Sequence, residues 1–574
     1  MRRVAIVAGC AAVLVAMSVG GTNAAAESDN PHSSDVRVNS GSPRTQFPRN
    51  KQNEPAVAVA IDSHDPSVLV SGSNDEIDNS PCNGSDCSFT PGVTDNGVYF
   101  SFNSGKSWTQ PTYTGWSART GTAQVGPIGT APWYYEAGMV GDGDPGLAFG
   151  PKPGPHGFSW SNGSRLYYSS LASNFPGSTA ITEQEAIAVD RTDDVRAAAA
   201  GNKNAWMRPV IASANVDPSL FSDKSEIWAD NASSSPNFGN AYLCWTSFGT
   251  STAPIVFSRS TDGGSHWTAP LTVFTPDPSS FGSTSCTMRT DSHGVIYLMW
   301  EQQNTVSAAQ DMLARSFDGG QTFETPRAVS TVTEVGALDP AHVNNGDPRF
   351  TFDGVAGART FSGLQIDIAN GAPSGHDATN QMVMTWSDGR NGLNHEQALL
   401  QSSRDRGVTW TGPVAIQQGA DRPDFPAIAI APNGKTVYLT YDAFLAPWRT
   451  TTSTARPMQG VVRTATVTDN GRIGQFQTVH RGKVGDARGS SENNLCCEFL
   501  GDYNFVSASR DFGAAVWNDV RDAAVCPTMN TYRQKFAAGT TPNPKPSPAS
   551  DCPATFGNSD IYGGTYKPNG EGQG

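Results

Sequence analysis

Ser260-Thr261-Asp262-Gly263-Gly264-Ser265-His266-Trp267 is one copy of a phrase, Ser-x-Asp-x-Gly-x-x-Trp, that the chain repeats. Residues 316–323 and 403–410 carry two more copies, and 101–108 carries an eroded one with Asn103 in place of the Asp. A phrase that recurs at long, unequal spacing marks an array of similar units, and units of strands joined by such turns predict a β-propeller. The chemistry of the phrase is that of a tight turn. The carboxylate accepts hydrogen bonds from amides of its own turn, the Gly takes a backbone conformation other residues resist, and the aromatic ring is expected between the outer strands of its own unit. Asp262, Asp318 and Asp405 are therefore read as structural residues.

Two further phrases count the units. The first is a short apolar strand opened by a polar or acidic residue, often followed by Pro: 54–59, 144–149, 424–430 and 502–506, with looser copies at 226–230, 285–289 and 363–368. Near-continuous apolarity marks strands buried on both faces, the innermost strand of each unit. The second is an aromatic-rich strand following each of these, at 98–102, 166–169, 242–245, 296–300, 383–386, 437–441 and 514–517. Asn-Gly or His-Gly precedes several of them, as hairpin turns require. Each phrase occurs seven times, so the prediction is an all-β, seven-bladed propeller, with six blades as the alternative count. A fifth, broken copy of the turn is read at 191–194, ahead of Trp206. Ring closure is assigned to Asp560–Tyr566, with Asp35 to Val38 as a partner strand from the other terminus.

Arg2 and Arg3, an apolar run from Val4 to Val19 and the small residues at 24–26 read as an export signal cleaved near Ala26. The division is then 1–26 signal peptide, 27–53 N-terminal extension, 54–567 propeller and 568–574 C-terminal tail. Loss of Arg2 and Arg3 takes the net charge from −14 to −16, a sign that excludes nucleic acid and anionic membranes as partners. The expected protein is a secreted, extracellular monomer with no membrane insertion. Of nine cysteines, eight remain after Cys10 leaves, an even number suited to disulfides in an oxidising compartment. Cys82 and Cys87, Cys526 and Cys552, and Cys244 and Cys286 are natural pairs. Cys496 and Cys497 form either a vicinal pair or cross-links elsewhere.

The repeated turn resembles the Asp-box, or BNR repeat, of the sialidase superfamily, and the chain resembles its secreted bacterial members over roughly 54–567. The resemblance implies a propeller acting on an extracellular glycan or glycoprotein, as a glycoside hydrolase of exo-sialidase type. The alternative is a non-catalytic propeller that binds glycan or protein. For catalysis it implies Tyr503 with Glu498 as the nucleophile pair and Asp144 as acid/base. Arg390 and Arg521, in the twin phrases 386–390 and 517–521, would grip a substrate carboxylate, or else each pairs with its own Asp388 or Asp519. One departure is direct: sialidases open the first inner strand with Arg-Ile-Pro, and this chain has Asn53-Glu54-Pro55.

The acidic residues argue separately. Glu54, Asp144, Glu226, Asp424 and Asp502 each stand at the start of an inner strand, hence on one rim, with Asp142, Asp347, Glu498 and Tyr503 as possible additions. Converging carboxylates suit a hard cation such as Ca2+, acid/base cleavage of a neutral sugar linkage, or plain strand capping. No cofactor beyond that Ca2+ is expected.

Overall fold

The computed structural model describes residues 34–60, 65, 67–214, 217–249, 252–540 and 543–568. The export signal read over 1–26, Cys10 and all but the first residue of the tail lie outside them. Among the described residues the strands pair into nine antiparallel sheets, of which seven follow one another along the chain as the units of a ring. Their innermost strands are Gln52–Val59, Gly146–Gly154, Phe221–Ala229, Gly282–Thr290, Gln365–Ile368, Arg422–Ile430 and Phe505–Ala508. Each packs against the next, and Phe505–Ala508 packs back on Gln52–Val59, which closes the cycle. The molecule is a β-propeller, and all seven inner-strand phrases fall at these strands.

The core is divided accordingly. Each contact between neighbouring sheets holds its own buried cluster, from Ala56, Phe100, Leu147 and Tyr168 between the first and second sheets to Val57, Tyr99, Phe512 and Ile561 between the seventh and first. Trp245, Trp300, Trp386 and Trp517, at matching places on second strands, are among the largest fully buried side chains. Truncating one of these to Ala removes about 3–5 kcal/mol.

Two expectations need correction. The aromatic phrase at 98–102 belongs to the third strand of its sheet, Asn96–Ser101, because Leu69–Asp75 pairs between it and Gln52–Val59. That strand hides in the sequence because Ser-Gly-Ser-Asn at 71–74 dilutes its apolar signal. The aromatic ring of the repeated turn packs onto the preceding sheet. Phe323 meets Phe257 edge-on at 5.0 Å between centroids, and a Cβ on Gly320 would come within 2.6 Å of the same ring. The turn therefore clips one sheet to its neighbour.

The termini close the ring. Asp560–Tyr566 pairs with Gly513–Asp519 on one side and with Val36–Arg37 on the other, so the sheet system takes in residues ahead of 54. Four disulfides form: Cys82–Cys87, Cys244–Cys286 between the third and fourth sheets, Cys496–Cys497 and Cys526–Cys552. Among the described residues no helix is long and apolar enough to cross a membrane.

Candidate functional site

One backbone device places the site. The inner strands slip register at Asn53/Ala56, Asp223/Glu226, Thr284/Thr287 and Asp424/Ala427. The first residue of each bulge is left-handed: Glu54 (φ 56°), Lys224 (53°), Ser285 (55°) and Phe425 (48°); Asp144 (52°) and Gly363 (53°) occupy the same place on two other strands. The second residue is Pro55, Pro145 or Pro426 in three of them, and proline loses nothing where no ladder hydrogen bond is made. The acidic-Pro phrase of the sequence is thus a β-bulge signature. Non-glycine residues in this region cost about 1–2 kcal/mol each, and strain of this kind gathers where a fold aims side chains for use.

At three of these places, Glu54, Asp144 and Lys224, the strands aim a cluster at one end of the propeller axis, while Ser285, Gly363 and Phe425 line the axial channel. Lys224 Nζ lies 2.7 Å from Asp502 Oδ2, 3.3 Å from Asp144 Oδ2 and 3.9 Å from Glu54 Oε1. Asn74 donates to Glu54 Oε2 at 2.6 Å and accepts from the Asp144 amide at 2.7 Å. Arg359 holds Asp502 through two bonds of 2.9 and 2.8 Å, its guanidinium 4.9 Å above the Phe499 ring. The cluster forms part of the wall of a cleft of about 670 Å³, whose other walls include Lys51, Phe89, Asp95, Asp142 and Glu492. Tyr503 faces the other way, into a channel of about 70 Å³ on the axis, with its ring 5.9 Å from Lys224 Nζ.

The carboxyls of the cluster have different protonation tendencies. Burial, with Asp144 next to it, pushes Glu54 well above the ordinary range. Burial also works to raise Asp144, but the Lys224 ammonium and hydrogen bonds from Glu54 and Asp223 outweigh it and hold this group below its usual value. Asp223 is raised to about 7, burial and Asp144 outweighing Lys224. Asp502 is held low, because Arg359 and Lys224 overcome its burial. Lys224 is raised well above its usual value, the four carboxyls overriding desolvation. Burial first, and then the charges of Asp144, Glu54 and Asp502, push the Tyr503 phenol well up.

The residues singled out in the sequence are distributed as follows. Glu54, Asp144 and Asp502 come together, but the place of a cation between them is taken by the ammonium of Lys224, so a Ca2+ centre does not form there. Glu226 instead pairs with Arg289, and Asp424 accepts from Thr360 Oγ1 at 2.5 Å; neither joins the cluster. Glu498 is buried against Arg456, with no hydrogen bond to Tyr503 among the described residues, so that nucleophile pair is not assembled. Arg390 is held by Asp388 at 2.6 and 2.8 Å, and Arg521 by Asp519 and Asp35 with its guanidinium 3.7 Å over Tyr562. The two arginines do not converge, because each fixes its own turn. Asp347 is bound to Arg349 at an exposed position, whereas Asp142 does line the cleft.

Sequence reasoning missed Lys224, Asp223, Arg359 and Phe89. Lys224 had a usable signal: aligned through the bulge, it stands where Glu54 and Asp144 stand on their strands. Every cation of the cluster is matched: Lys51 by Glu76 at 2.7 Å, Lys224 by Asp502 and Asp144, and Arg359 by Asp502. A trio of guanidinium groups open to a substrate carboxylate is not present among the described residues of the cleft.

No family model and no curated protein matches the sequence. Solved structures do resemble it. One is a Trypanosoma rangeli sialidase in complex with the inhibitor DANA, at 13% identity over 72% of this chain and 57% of that chain, with a TM-score of 0.38. Another is an intramolecular trans-sialidase from Ruminococcus gnavus in complex with oseltamivir carboxylate, at 10% identity over 71% of this chain and 94% of the other, with a TM-score of 0.38. A third is the GH93 alpha-L-arabinofuranosidase of Fusarium graminearum with arabinobiose, at 13% identity over 60% and 93% of the two chains, with a TM-score of 0.32.

Proposed function

We propose that this is an exported glycan-acting propeller, a glycoside hydrolase of the sialidase superfamily that works at the Lys224 cleft on a neutral sugar linkage. The observation that carries the reading is the gathering of Glu54, Asp144 and Asp223 around Lys224 at the wall of that cleft. There Asp144 is held below its usual range, Asp223 is raised to about 7 and Glu54 is pushed well above its usual range. Groups whose environments drive their proton affinities apart are suited to acid and base roles in one reaction. Asp223 is the general acid that protonates the leaving glycosidic oxygen. Asp144 carries the negative charge that offsets the oxocarbenium-like transition state or activates the attacking water. Lys224 fixes the carboxylates and keeps Asp144 ionised.

The phenol of Tyr503, pushed up first by burial and then by the surrounding carboxylates, serves as a wall of the axial channel rather than an anionic nucleophile. With Lys51, Lys224 and Arg359 already paired and Lys545 the further cation on its wall, the cleft favours a neutral sugar over sialic acid, and its volume suits an oligosaccharide end. Phe89, 54% exposed at the cleft, offers a face for sugar stacking. That exposed ring also favours the second reading, glycan binding without chemistry. The four disulfides suit an extracellular setting.

Purified protein incubated with fluorogenic neutral glycosides and sialosides tests the reading. Turnover of a neutral glycoside, reduced about 10²–10⁴-fold in Asp223→Asn, supports it. Turnover confined to sialosides, or surviving both Asp223→Asn and Asp144→Asn, would sink it. Glycan-array binding with no turnover leaves the binding propeller.

A further inference from the structure

Next to the Lys224 cluster the cleft has a second group of carboxyls, which the proposed chemistry does not use. Residues 94–96 and 141–143 run side by side, stitched by the Asp95 amide on the Gly141 carbonyl at 2.8 Å and the Gly143 amide on Asn96 Oδ1 at 2.8 Å. Asp95, 7% exposed, and Asp142 therefore share one edge of the cleft wall. Glu185, 8% exposed, meets the Asp142 carboxyl, and its carbonyl takes the Ser222 amide at 3.0 Å, one residue before Asp223.

This second group lacks what the first one has. Lys224 brings an ammonium to within 2.7, 3.3 and 3.9 Å of three carboxyls. Lys51, the cation acting on Asp95, is already bound by Glu76 at 2.7 Å and Asn493 Oδ1 at 2.6 Å. What acts on Asp142 and Glu185 is burial, Ser173 and other carboxyls. Asp142 Oδ2 and Glu185 Oε1 are buried without a hydrogen-bond partner, a state that buried polar atoms rarely keep. Burial, then like charge, pushes Asp95 well above its ordinary range and Glu185 to about 10. Among the described residues these oxygens do not share the mutual 4.8 Å spacing of a three-ligand metal group. A protonated amine, with three donors, suits the wider spacing already seen around Lys224.

We propose that the Asp95–Asp142 edge binds the ammonium of an amino sugar, on the ring that adjoins the neutral sugar cleaved at Asp144 and Asp223. The inference rests on the glycan-acting reading of the cleft. Asp142 stands two residues before Asp144 in one segment, so a ring held at the first adjoins a ring held at the second. Eight carboxyl-bearing and four cationic residues line the cleft, a balance that draws cations in. Phe89 on the same wall offers the amino sugar a stacking face. As the ammonium docks it donates to Asp142 Oδ2 and to Asp95, and its charge favours their ionised forms, the released proton passing to solvent. An N-acetyl group in the same place brings no charge and a single N–H donor.

Calorimetry on the full-length Asp223→Asn variant, in which the proposed turnover is blocked, tests this at about pH 6, where a sugar amine is protonated. The probes are a β-1,4-linked glucosamine tetramer, its fully N-acetylated counterpart and cellotetraose. The free-amine tetramer is expected to bind at least about tenfold more tightly than either, the range a charge-assisted hydrogen bond supplies. Adding Asp142→Asn, or Asp95→Asn should the first fail to fold, is expected to cut that preference at least about threefold. Adding Asp405→Asn, at an outer turn, should leave it unchanged, which separates the edge from the general negative field. Equal affinity for the amine and N-acetyl tetramers overturns the proposal, as does a preference that survives both cleft substitutions or falls equally with Asp405→Asn. Amine-selective binding by a wild type that turns over no glycoside sinks the hydrolase reading alone. Turnover of neutral glycosides with no preference for the amine sinks the amine site alone.

Discussion

In the outer turn at 403–410, the carboxylate of Asp405 faces solvent and accepts from the Thr409 hydroxyl at 2.5 Å, the Thr409 amide at 2.9 Å and Ser403 Oγ at 2.9 Å. These donors to the charged form hold it down to about 2. At the cleft, Asp223 is removed from water among other carboxyls and sits at about 7. The residue type is the same, and what differs is whether donors or burial and like charge dominate. The outer turn uses a carboxylate as a fixed acceptor that need never change state. The cleft holds one poised to exchange a proton near neutrality.

The largest effect expected from this contrast comes from removing the cation that makes the cleft tolerable. Lys224→Met leaves Glu54, Asp144 and Asp502 without their shared ammonium, and thermal or denaturant unfolding should report a loss of about 3–5 kcal/mol. A loss under about 1 kcal/mol would mean that the carboxyls are adequately satisfied without it.

Next comes the pH dependence of stability, where the two regions should slope in opposite directions. Asp223 has a folded-state affinity above its unfolded one, so the native state binds more protons between about pH 4 and 7, and its contribution to stability falls as pH rises through that window. Asp405 has the depressed case, so its contribution rises between about pH 2 and 4. In urea titrations across pH, Asp223→Asn should flatten the decline above pH 4, while Asp405→Asn flattens the rise below it. Equal slopes in both variants and wild type would erase the contrast.

Smaller still is the direct cost of the turn. Asp405→Ala forfeits hydrogen bonds at a solvent-facing site and should cost about 1 kcal/mol, with glycoside turnover unchanged. The least effect is expected from Arg390→Gln. Its partly exposed guanidinium pairs with the buried carboxylate of Asp388, which keeps donors from Trp386 and the residue-390 amide in the variant, and KM for any cleft substrate should not move. A raised KM would return Arg390 to the binding site.

Much of the architecture is legible in the amino-acid sequence. The inner-strand phrases, including loose ones such as 285–289, locate seven buried strands because burial on both faces leaves an apolar run that solvent-facing segments rarely show. The closing strand at 560–566 and three loop or inter-sheet disulfides are equally plain. Leu69–Asp75 is not, because a strand of Ser, Gly and Asn among apolar residues carries little periodic signal. Arg390 and Arg521 mislead for a related reason: Trp-x-Asp-x-Arg marks a turn that satisfies its own arginine, and sequence alone does not say which partner a guanidinium chooses. Lys224 is inconspicuous in Ser-Asp-Lys-Ser-Glu at 222–226, since its importance depends on which residues of distant strands it faces.

The sequence by itself determined the repeating architecture, because strand burial, hairpin turns and self-capped Asp turns are local and each copy repeats the same short-range physics. Only the tertiary structure decided the chemistry of the cleft. Glu54, Asp144, Lys224 and Asp502 are separated by 90, 80 and 278 residues in successive steps, and Coulomb energy and desolvation depend on distance in space. Closing the ring brings Glu54, Asp144 and Lys224, all in the same left-handed backbone conformation, to one axis beside Asp502, and there an ammonium stands among the carboxylates.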